Sequence, residues 1–362
     1  MSSLHPIFQE FKLFDLQLKN RIIMAPLTRC RAGDGDVATS LQATYYGQRA
    51  SAGLIISEAS QISQQGKGYA HTPGIYTPEQ IQGWKLTTDV VKKNQGVIFC
   101  QLWHVGRISH PDLQPQQALP VAPSAIKPNG FALTENGPKE FVTPRALETN
   151  EIPQIIEQYC HAAYAAKEAG FHGIEVHAAN GYLLDQFLRD ATNHREDSYG
   201  GSIANRVRLI IEVIEAVSQI LPSHQIGIRL SPVSRFNDMS DSTPFQTYSY
   251  LIQELNRLDI GYIHCIEGTA RDIRPQKAEF DFHALRAQFK NFYIANNMYD
   301  IHMAKSALDN GHADLICFGR PFIGNPDLVH RLQHDLPLTD APQQFWYGGD
   351  AKGYTDWPNY TS

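Results

Sequence analysis

The sequence lacks the features that mark membrane, secreted and nucleic-acid-binding proteins. It has no apolar run near the roughly 20 residues that a helix needs to cross a bilayer. The stretch from Met1 to Asn20 lacks the basic start and apolar run of a secretory signal. Lys and Arg form no run, and the formal net charge is only -6 over 362 residues. We therefore expect no membrane or nucleic-acid partner and a cytoplasmic location.

Cysteine is also sparse. The five cysteines are scattered and form no Cys-x-x-Cys pair, which argues against a disulfide scaffold and against a zinc site. Cys100, Cys265 and Cys317 lie in apolar runs, where we predict buried, unreactive thiols. The hydrophobic content of 42% and charged content of 19% are typical of a soluble globular enzyme with a sizeable core.

Short apolar runs alternate with longer amphipathic stretches along the chain. Each run is rich in Ile, Val, Leu or Phe, which is typical of strands buried on both faces of a parallel sheet. Eight such strands alternating with helices favour a closed α/β barrel, the (β/α)8 or TIM barrel, over an open sheet. The predicted strands are Arg21–Pro26, Gly53–Glu58, Gly96–Leu102, Gly173–His177, Gln225–Leu230, Gly261–Ile266, Phe292–Ala295 and Ala313–Phe318.

Helical periodicity fills the spaces between the later strands, and the helices stop near Gly or Pro. A serine, Ser202, precedes the second of them and is a predicted N-cap. The predicted helices are Pro153–Ala169, Ile203–Ile220, Pro244–Leu258 and Ile301–Asp309.

One long segment interrupts the alternation after the third predicted strand. It is rich in Pro and polar residues. Loops of this length usually carry function or small structure of their own, and loops after barrel strands lie on the face that holds active sites. We predict a single domain over residues 1–362, with an insertion at about 104–150 that covers the substrate and contains a short hairpin.

The polar residues at the predicted strand ends form an unusual set. They include His177 and Arg229 but no paired carboxylates, no metal-binding cluster, no Schiff-base lysine and no nucleophile motif. Such a set alone supplies little redox power, so a cofactor is expected to carry the difficult step. Gly319 and Arg320 directly follow the eighth strand, where this fold usually binds phosphate. The pair therefore favours a phosphorylated cofactor.

The fourth strand runs into the motif GIEVHAANGYLLDQFL at 173–188. A neutral His177 N–H and the Asn180 amide can both donate to one carbonyl oxygen, and Tyr182 can give a proton. Taken alone, the triplet is better explained by a hydrogen-bonded core histidine and a packing tyrosine. Its position after a barrel strand, with Gln101 and Arg229 on the same face, reverses that preference.

With these motifs in place, the chain resembles the Old Yellow Enzyme family, especially its bacterial N-ethylmaleimide, nitroester and pentaerythritol tetranitrate reductases. The resemblance runs almost end to end, and the common order of its motifs is highly specific. The segments that carry it are LKNRIIMAPLTRCRA at 18–32, GLIISEASQIS at 53–63, QLWHVGRISH at 101–110, the long block GIEVH to IIEV at 173–213, IRLSPVSRFNDM at 228–239, FGRPFIGNPDLVHRL at 318–332 and GYTDWP at 353–358.

The resemblance implies a noncovalent FMN at the mouth of the barrel, reduced by NADPH or NADH. It implies a flavin-binding role for ten residues and a pocket-wall role for three. The flavin site would comprise Pro26, Thr28, Ala59, Gln101, His177, Arg229, Asn297, Met298, Gly319 and Arg320. The pocket walls would be Tyr69, Trp103 and Tyr354.

The implied activity is a ping-pong reduction of the C=C bond in α,β-unsaturated carbonyls and maleimides, with nitroesters and nitroaromatics as further substrates. By the same resemblance, hydride passes from nicotinamide to flavin and then to the alkene β-carbon. His177 and Asn180 would grip the carbonyl, and Tyr182 would protonate the α-carbon. The expected partner is a small electrophilic alkene, and the expected assembly is a monomer or homodimer.

Two alternatives remain at this point. Other FMN barrel enzymes, such as hydroxyacid oxidases and dihydroorotate dehydrogenases, lack the His-x-x-Asn-x-Tyr motif. A non-catalytic or weakly catalytic flavin-binding protein on the same scaffold is the other, because Asn296 and Asn297 replace small residues in the turn that usually cups the phosphate. Since Asn tolerates a left-handed backbone, we predict that the turn persists with added bulk beside the phosphate.

Overall fold

Eight parallel strands close into a barrel in the computed structural model, which describes residues 4–268 and 280–361. Each strand is hydrogen-bonded to the next, and the last returns to the first. All eight predicted strands are confirmed, most of them with shorter ends than predicted. The strands are β1 (Ile22–Met24), β2 (Leu54–Ile56), β3 (Ile98–Trp103), β4 (Gly173–Ala178), β5 (Ile226–Leu230), β6 (Tyr262–Ile266), β7 (Phe292–Asn296) and β8 (Leu315–Phe318).

The four predicted helices are also confirmed, although the second ends at Val217 rather than Ile220. The Ser202 hydroxyl accepts a hydrogen bond from the Asn205 amide at 3.2 Å, which confirms the predicted cap. The helices are α1 (Ser40–Gln48), α2 (Pro78–Lys93), α3 (Ile152–Glu168), α4 (Leu183–Leu188), α5 (Ile203–Val217), α6 (Pro244–Leu258), α7 (Phe282–Gln288), α8 (Ile301–Asp309), α9 (Pro321–Gly324) and α10 (Leu328–Gln333).

Alternation along the strands divides the apolar residues between two cores. In β4, Ile174 and Val176 pack in the larger core with the helices. The smaller core lies inside the barrel and includes residues of a hairpin formed by Phe11–Leu13 and Leu16–Leu18. The rings of Phe11 and Phe292 meet edge-on at 5.2 Å, and Phe292 begins β7. The hairpin thus lies at the amino end of the barrel, so the carboxyl end is left for a site.

The insertion contains the predicted hairpin, with Phe131–Thr134 antiparallel to Gly137–Glu140. A second pair joins Val121–Ala122 to Arg145–Ala146 in parallel. The Ala70 amide donates to the Leu133 carbonyl at 2.8 Å, which ties the hairpin to the loop after β2. Ala132 then packs in a cluster with aromatic residues from the carboxyl ends of the strands.

Cys100, Cys265 and Cys317 are free and buried, as predicted. Burial raises the pKa of the Cys100 thiol to about 12 and also raises the pKa values of the other two. These thiols are therefore protonated and unreactive at neutral pH. Across residues 4–268 and 280–361, no group of His, Cys, Asp and Glu has the arrangement of a metal site. No helix in those ranges combines the length and apolar character that a membrane crossing requires.

Candidate active site

Strand register brings the predicted polar residues together inside the carboxyl end of the barrel. His177 in β4 lies beside Arg229 in β5, and Arg229 lies beside His264 in β6. On the other side, Glu175 in β4 lies beside Gln101 in β3. Neighbouring residues in a parallel ladder project to the same face. The ladder therefore builds one continuous polar layer from separate segments of the chain.

The buried carboxylate of Glu175 orients this layer. It accepts hydrogen bonds from the Gln101 amide nitrogen at 2.7 Å and the Tyr262 hydroxyl at 3.0 Å, and its other contact is His264 Nδ1 at 2.9 Å. This contact fixes the direction of the Gln101 amide, and its carbonyl oxygen can accept from a ligand. Burial lowers the pKa of His264, with Glu175 opposing that shift.

Arg229 is a buried guanidinium with incomplete hydrogen bonding. Its Nη2 donates to the Asn296 side chain at 3.0 Å, while Nε has no partner within the described ranges. Burial lowers the pKa of Arg229, and the Glu175 charge opposes the shift. An unsatisfied buried donor costs about 1–3 kcal/mol, so the position suits a ligand that supplies an acceptor. The Asn296 amide nitrogen donates to the Cys317 carbonyl at 2.8 Å.

Asn296 lines the same cavity as Gly319 and Arg320, and its side chain is held by Arg229 and the Cys317 carbonyl. It ends β7 and faces Arg229 across the barrel mouth. Asn297 and Met298 follow with φ values of 106° and 52°, so the left-handed turn persists, as predicted. The Asn297 side chain donates to the Glu267 carbonyl at 2.9 Å, which turns it back onto the chain.

A cavity of about 530 Å³ opens beside Arg229 at the barrel mouth. This volume lies within the usual range for small-molecule sites. A second space of about 150 Å³ adjoins it along Leu27, Arg320 and Tyr347 and includes Thr28. The larger cavity is lined in part by the predicted residues Pro26, Asn180, Arg229, Asn297, Met298, Gly319 and Arg320.

Gly319 and Arg320 form the end of the cavity next to the turn. A Cβ added at Gly319 would meet Leu27 at 3.5 Å and Ala25 at 3.7 Å, which are ordinary contacts. Internal packing thus does not demand glycine here, whereas close approach of a ligand would. Arg320 is exposed and forms no ion pair with any described residue. A glycine beside an available guanidinium fits a phosphate group.

His177 is held as a neutral hydrogen-bond donor. Its Nδ1 accepts from the Ala179 amide at 3.3 Å, so the ring proton belongs on Nε2. The side chain is only 3% exposed, and burial, followed by the charges of Arg229 and His264, holds its pKa well below the usual value. The ring therefore stays neutral at physiological pH.

Asn180 is fixed through its backbone, which leaves its amide available. It adopts a left-handed φ of 59°. Its amide N–H donates to the Ser231 hydroxyl at 2.8 Å, and its carbonyl accepts from the Asn237 side chain at 2.8 Å. The residue lines the cavity together with Arg229. A side-chain amide held there can act as a second donor beside His177.

Tyr182 packs against the rings of His177 and Trp103. It meets both edge-on, with centroids at 5.1 Å and 4.9 Å. Its hydroxyl lies 3.1 Å from the hydroxyl of Tyr69. Burial raises the pKa of Tyr182 well above its usual value, so the hydroxyl is protonated and able to donate.

The three residues predicted to form the pocket walls differ in how far they are exposed. Tyr69 is partly exposed and stacks on Trp103 at 5.5 Å, whereas Trp103 is fully buried behind it. Trp103 thus supports the site rather than facing it, and Ala59 packs in the same cluster. Tyr354 is fully buried and stacks on Tyr45 at 4.1 Å. Its assignment as a pocket wall was wrong, because a ring enclosed in this way presents no surface to a substrate.

Tyr347, which sequence analysis missed, lines both spaces instead. Buried Arg29 positions it by donating to the carbonyls of Trp346 at 2.8 Å and Phe345 at 3.0 Å. These contacts join residues more than 300 positions apart, so no local pattern reports them. The aromatic run before the double glycine at 348–349 was the one available signal.

The loop after β3 is held by hydrogen bonds of its own polar residues. His104 Nδ1 accepts from the Gly106 amide at 3.1 Å, and His110 Nδ1 accepts from the Asp112 amide at 3.1 Å. Arg107 donates to the Ile126 and Asn237 carbonyls. These residues shape the loop and take no evident part in the chemistry.

Glu58 follows β2 and belongs to no ion pair among the described residues. Its carboxylate accepts a hydrogen bond from the Arg29 amide at 3.3 Å, and burial raises its pKa to about 7. The folded protein thus holds a proton that the unfolded chain loses at lower pH. The stability linked to this proton is fully present below about pH 4.5 and is lost as pH rises through about 7.

We therefore expect Glu58→Gln to stabilise the protein relative to wild type by about 1–3 kcal/mol more at about pH 8 than at about pH 5. Urea unfolding with saturating FMN at both pH values measures this difference. Glu215→Gln is the matched control, because Glu215 is exposed on α5. Equal shifts for the two variants would contradict the assignment.

Comparison with known proteins agrees with this geometry. A family model described as the NADH:flavin oxidoreductase / NADH oxidase family matches residues 6–339. The 12-oxophytodienoate reductase 1 of Oryza sativa subsp. japonica is 41% identical over 360 residues, which cover 98% of this chain and 93% of the rice protein. The rice 12-oxophytodienoate reductase 7 is 38% identical over 373 residues, covering 98% and 94%.

Solved structures show the same similarity. Morphinone reductase in complex with tetrahydroNAD superposes with a TM-score of 0.93 at 46% identity, covering 98% of each chain. The old yellow enzyme homologue of Zymomonas mobilis superposes with a TM-score of 0.93 at 42% identity, covering 98% of this chain and 99% of the other.

Proposed function

Because the chain belongs to the NADH:flavin oxidoreductase / NADH oxidase family and is an oxidoreductase that uses FMN and a reduced nicotinamide, we propose that it reduces the C=C bond of α,β-unsaturated carbonyls and maleimides. Nitroesters and nitroaromatics are proposed as further substrates. The observation that carries the proposal is neutral His177, which lies beside Arg229 on the neighbouring strand, while Asn180 and Arg229 line the cavity.

The described residues fit FMN. We propose that Gly319, Arg320 and the turn at Asn297 and Met298 hold its phosphate. Gln101 presents a carbonyl oxygen, and Arg229 presents an unpaired N–H, to the pyrimidine edge of the ring. The proposed contacts of Pro26, Thr28 and Ala59 complete the site. When bound, FMN supplies the hydride chemistry that these side chains lack.

The substrate carbonyl is proposed to accept from His177 Nε2 and the Asn180 amide. Negative charge grows on that oxygen as hydride reaches the β-carbon, so both donors bind the transition state better than the ground state. Neutral His177 suits this role, because its donor proton stays in place. Tyr182 then supplies a proton to the α-carbon. Its high pKa keeps the hydroxyl protonated until carbanion character develops.

We further propose that the insertion at 104–150 covers the substrate. Ala132 and Phe141 of this segment pack in the cluster that contains Tyr69 and Tyr182. A cover at this position excludes water, which strengthens the hydrogen bonds to the carbonyl. It also limits which alkene substituents the site admits.

Purified holoenzyme tests the function directly. We expect a yellow protein whose flavin band is bleached by NADPH or NADH under anaerobic conditions and restored by 2-cyclohexenone or N-ethylmaleimide. A screen of enones, maleimides and nitro compounds then ranks the acceptors. A protein that binds no added FMN, or a reduced flavin that no alkene reoxidises, would refute the proposal.

A further inference from the structure

The hydroxyl groups of Tyr69 and Tyr182 form an isolated pair. They lie 3.1 Å apart, and neither hydroxyl has another hydrogen-bond partner among the described residues. Tyr182 follows β4, whereas Tyr69 lies in the loop between β2 and α2. Two distant segments of the chain thus place one phenol against another beside the proposed carbonyl site.

Tyr69 is held firmly enough to set the position of its partner. Its ring stacks on Trp103 at an interplanar angle of 18°. Its carbonyl accepts from the Thr72 hydroxyl at 2.9 Å. The following amide, that of Ala70, donates to Leu133 in the insertion hairpin at 2.8 Å. These three contacts therefore fix the position of the Tyr69 hydroxyl. The hydrogen bond between the two hydroxyls then limits the rotation of the Tyr182 O–H.

The two tyrosines also differ in exposure and in acidity. Tyr182 is 7% exposed, whereas Tyr69 is partly exposed. Burial raises the pKa of both, to about 12 for Tyr69, and their mutual hydrogen bond lowers the pKa of Tyr69 while raising that of Tyr182. A phenolate formed on Tyr182 would therefore take a proton from Tyr69, the stronger acid.

We propose that Tyr69 is a positioning residue for Tyr182 and relays a proton to it during alkene reduction. This inference rests on the proposed function. The Tyr182 O–H bond breaks as a C–H bond forms at the α-carbon, and the Tyr69 O–H bond breaks as the Tyr182 O–H bond reforms. Water then returns a proton to Tyr69. The reduced cofactor supplies the hydride, so each turnover consumes one hydride and one proton.

Tyr69→Phe tests the inference, because phenylalanine keeps the stacking on Trp103 and removes only the hydroxyl. Rapid mixing of NADPH-reduced holoenzyme with 2-cyclohexenone measures flavin reoxidation in a single turnover. We expect about a tenfold slower reoxidation, with flavin content and its reduction by NADPH unchanged. Tyr76→Phe is the matched control, since Tyr76 lies in the same loop but donates to Gln64 at 2.9 Å.

A double-variant comparison separates the relay from a wall that merely contacts substrate. We expect Tyr69→Phe to have no further effect in a Tyr182→Phe background, because it acts only through Tyr182. The reoxidation rate is then measured in mixtures of H₂O and D₂O and plotted against the deuterium fraction. The wild-type plot should be curved, because two protons move, and the Tyr69→Phe plot should be linear. Additive effects or a linear wild-type plot would overturn the relay.

Failure of the inference can be told from failure of the proposed function. If Tyr182→Phe slows reoxidation but Tyr69→Phe does not, the relay is wrong while the role of Tyr182 stands. If Tyr182→Phe leaves reoxidation unchanged, the acid role in the proposed function is itself wrong, and the relay is overturned with it.

Discussion

Replacing His177 with alanine is expected to slow reoxidation of the reduced enzyme by 2-cyclohexenone about 10²–10³-fold, the usual cost of one lost donor to a developing oxyanion. The physical reason is the fixed tautomer, in which Nδ1 accepts from Ala179 and Nε2 is left to donate. Stopped-flow absorbance at the flavin band measures the rate. FMN content should stay near one per chain, because other residues hold the phosphate and the pyrimidine edge.

His177→Asn is the matched comparison, because asparagine retains an N–H donor near the same position and should lose less rate than alanine. The low pKa of His177 adds a second expectation. The ring is neutral above that pKa. We therefore expect that protonation of His177 does not lower the wild-type reoxidation rate between about pH 8 and about pH 6. Unchanged turnover in His177→Ala would remove the carbonyl role from this residue.

Replacing Arg229 with methionine is expected to weaken FMN binding about 10–100-fold, as when a hydrogen bond from a charged group is lost. Methionine fills similar space but offers neither charge nor N–H. The stability of the apoprotein should change little, because the variant loses the hydrogen bond to Asn296 but no longer buries a guanidinium with an unpaired Nε. Fluorescence titration of apoprotein with FMN and thermal unfolding of the same sample measure the two effects.

Arg229→Lys separates charge from geometry, since lysine keeps a positive charge but lacks the planar fork. We expect intermediate FMN affinity and slower flavin reduction by NADPH than in wild type, because a less well-placed charge stabilises the anionic reduced ring less. Wild-type affinity in Arg229→Met would place the flavin ring elsewhere, and the cavity beside Arg229 would then need another ligand.

The parts of the site that could be predicted from sequence are those carried by single segments. His177, Asn180 and Tyr182 share one stretch after β4, and Gly319 and Arg320 directly follow β8. Their positions follow from where a strand ends, which hydrophobic periodicity reveals. The left-handed turn at Asn297 was likewise predictable, because it depends on the local backbone preference of asparagine.

The parts that could not be predicted depend on contacts between distant segments. Tyr347 lies at the cavity because buried Arg29 binds the carbonyls of the two residues that precede it. Tyr354 belongs to a motif shared with the family, yet its ring is enclosed against Tyr45. The orientation of Asn296 depends on Arg229 across the barrel. Periodicity and motif order carry no information about such partners.

By itself, the sequence determined the eight-stranded barrel and the order of the residues at its strand ends. It also determined which kinds of side chain are available to bind a flavin and a substrate carbonyl. Only the tertiary structure decided which of those side chains are oriented to act. Closure of the barrel sets Glu175 against Gln101, leaves Arg229 with an unpaired donor and brings the Tyr69 hydroxyl to Tyr182. The reason is that strand periodicity is encoded locally, whereas hydrogen-bond direction and burial arise only when distant segments pack together.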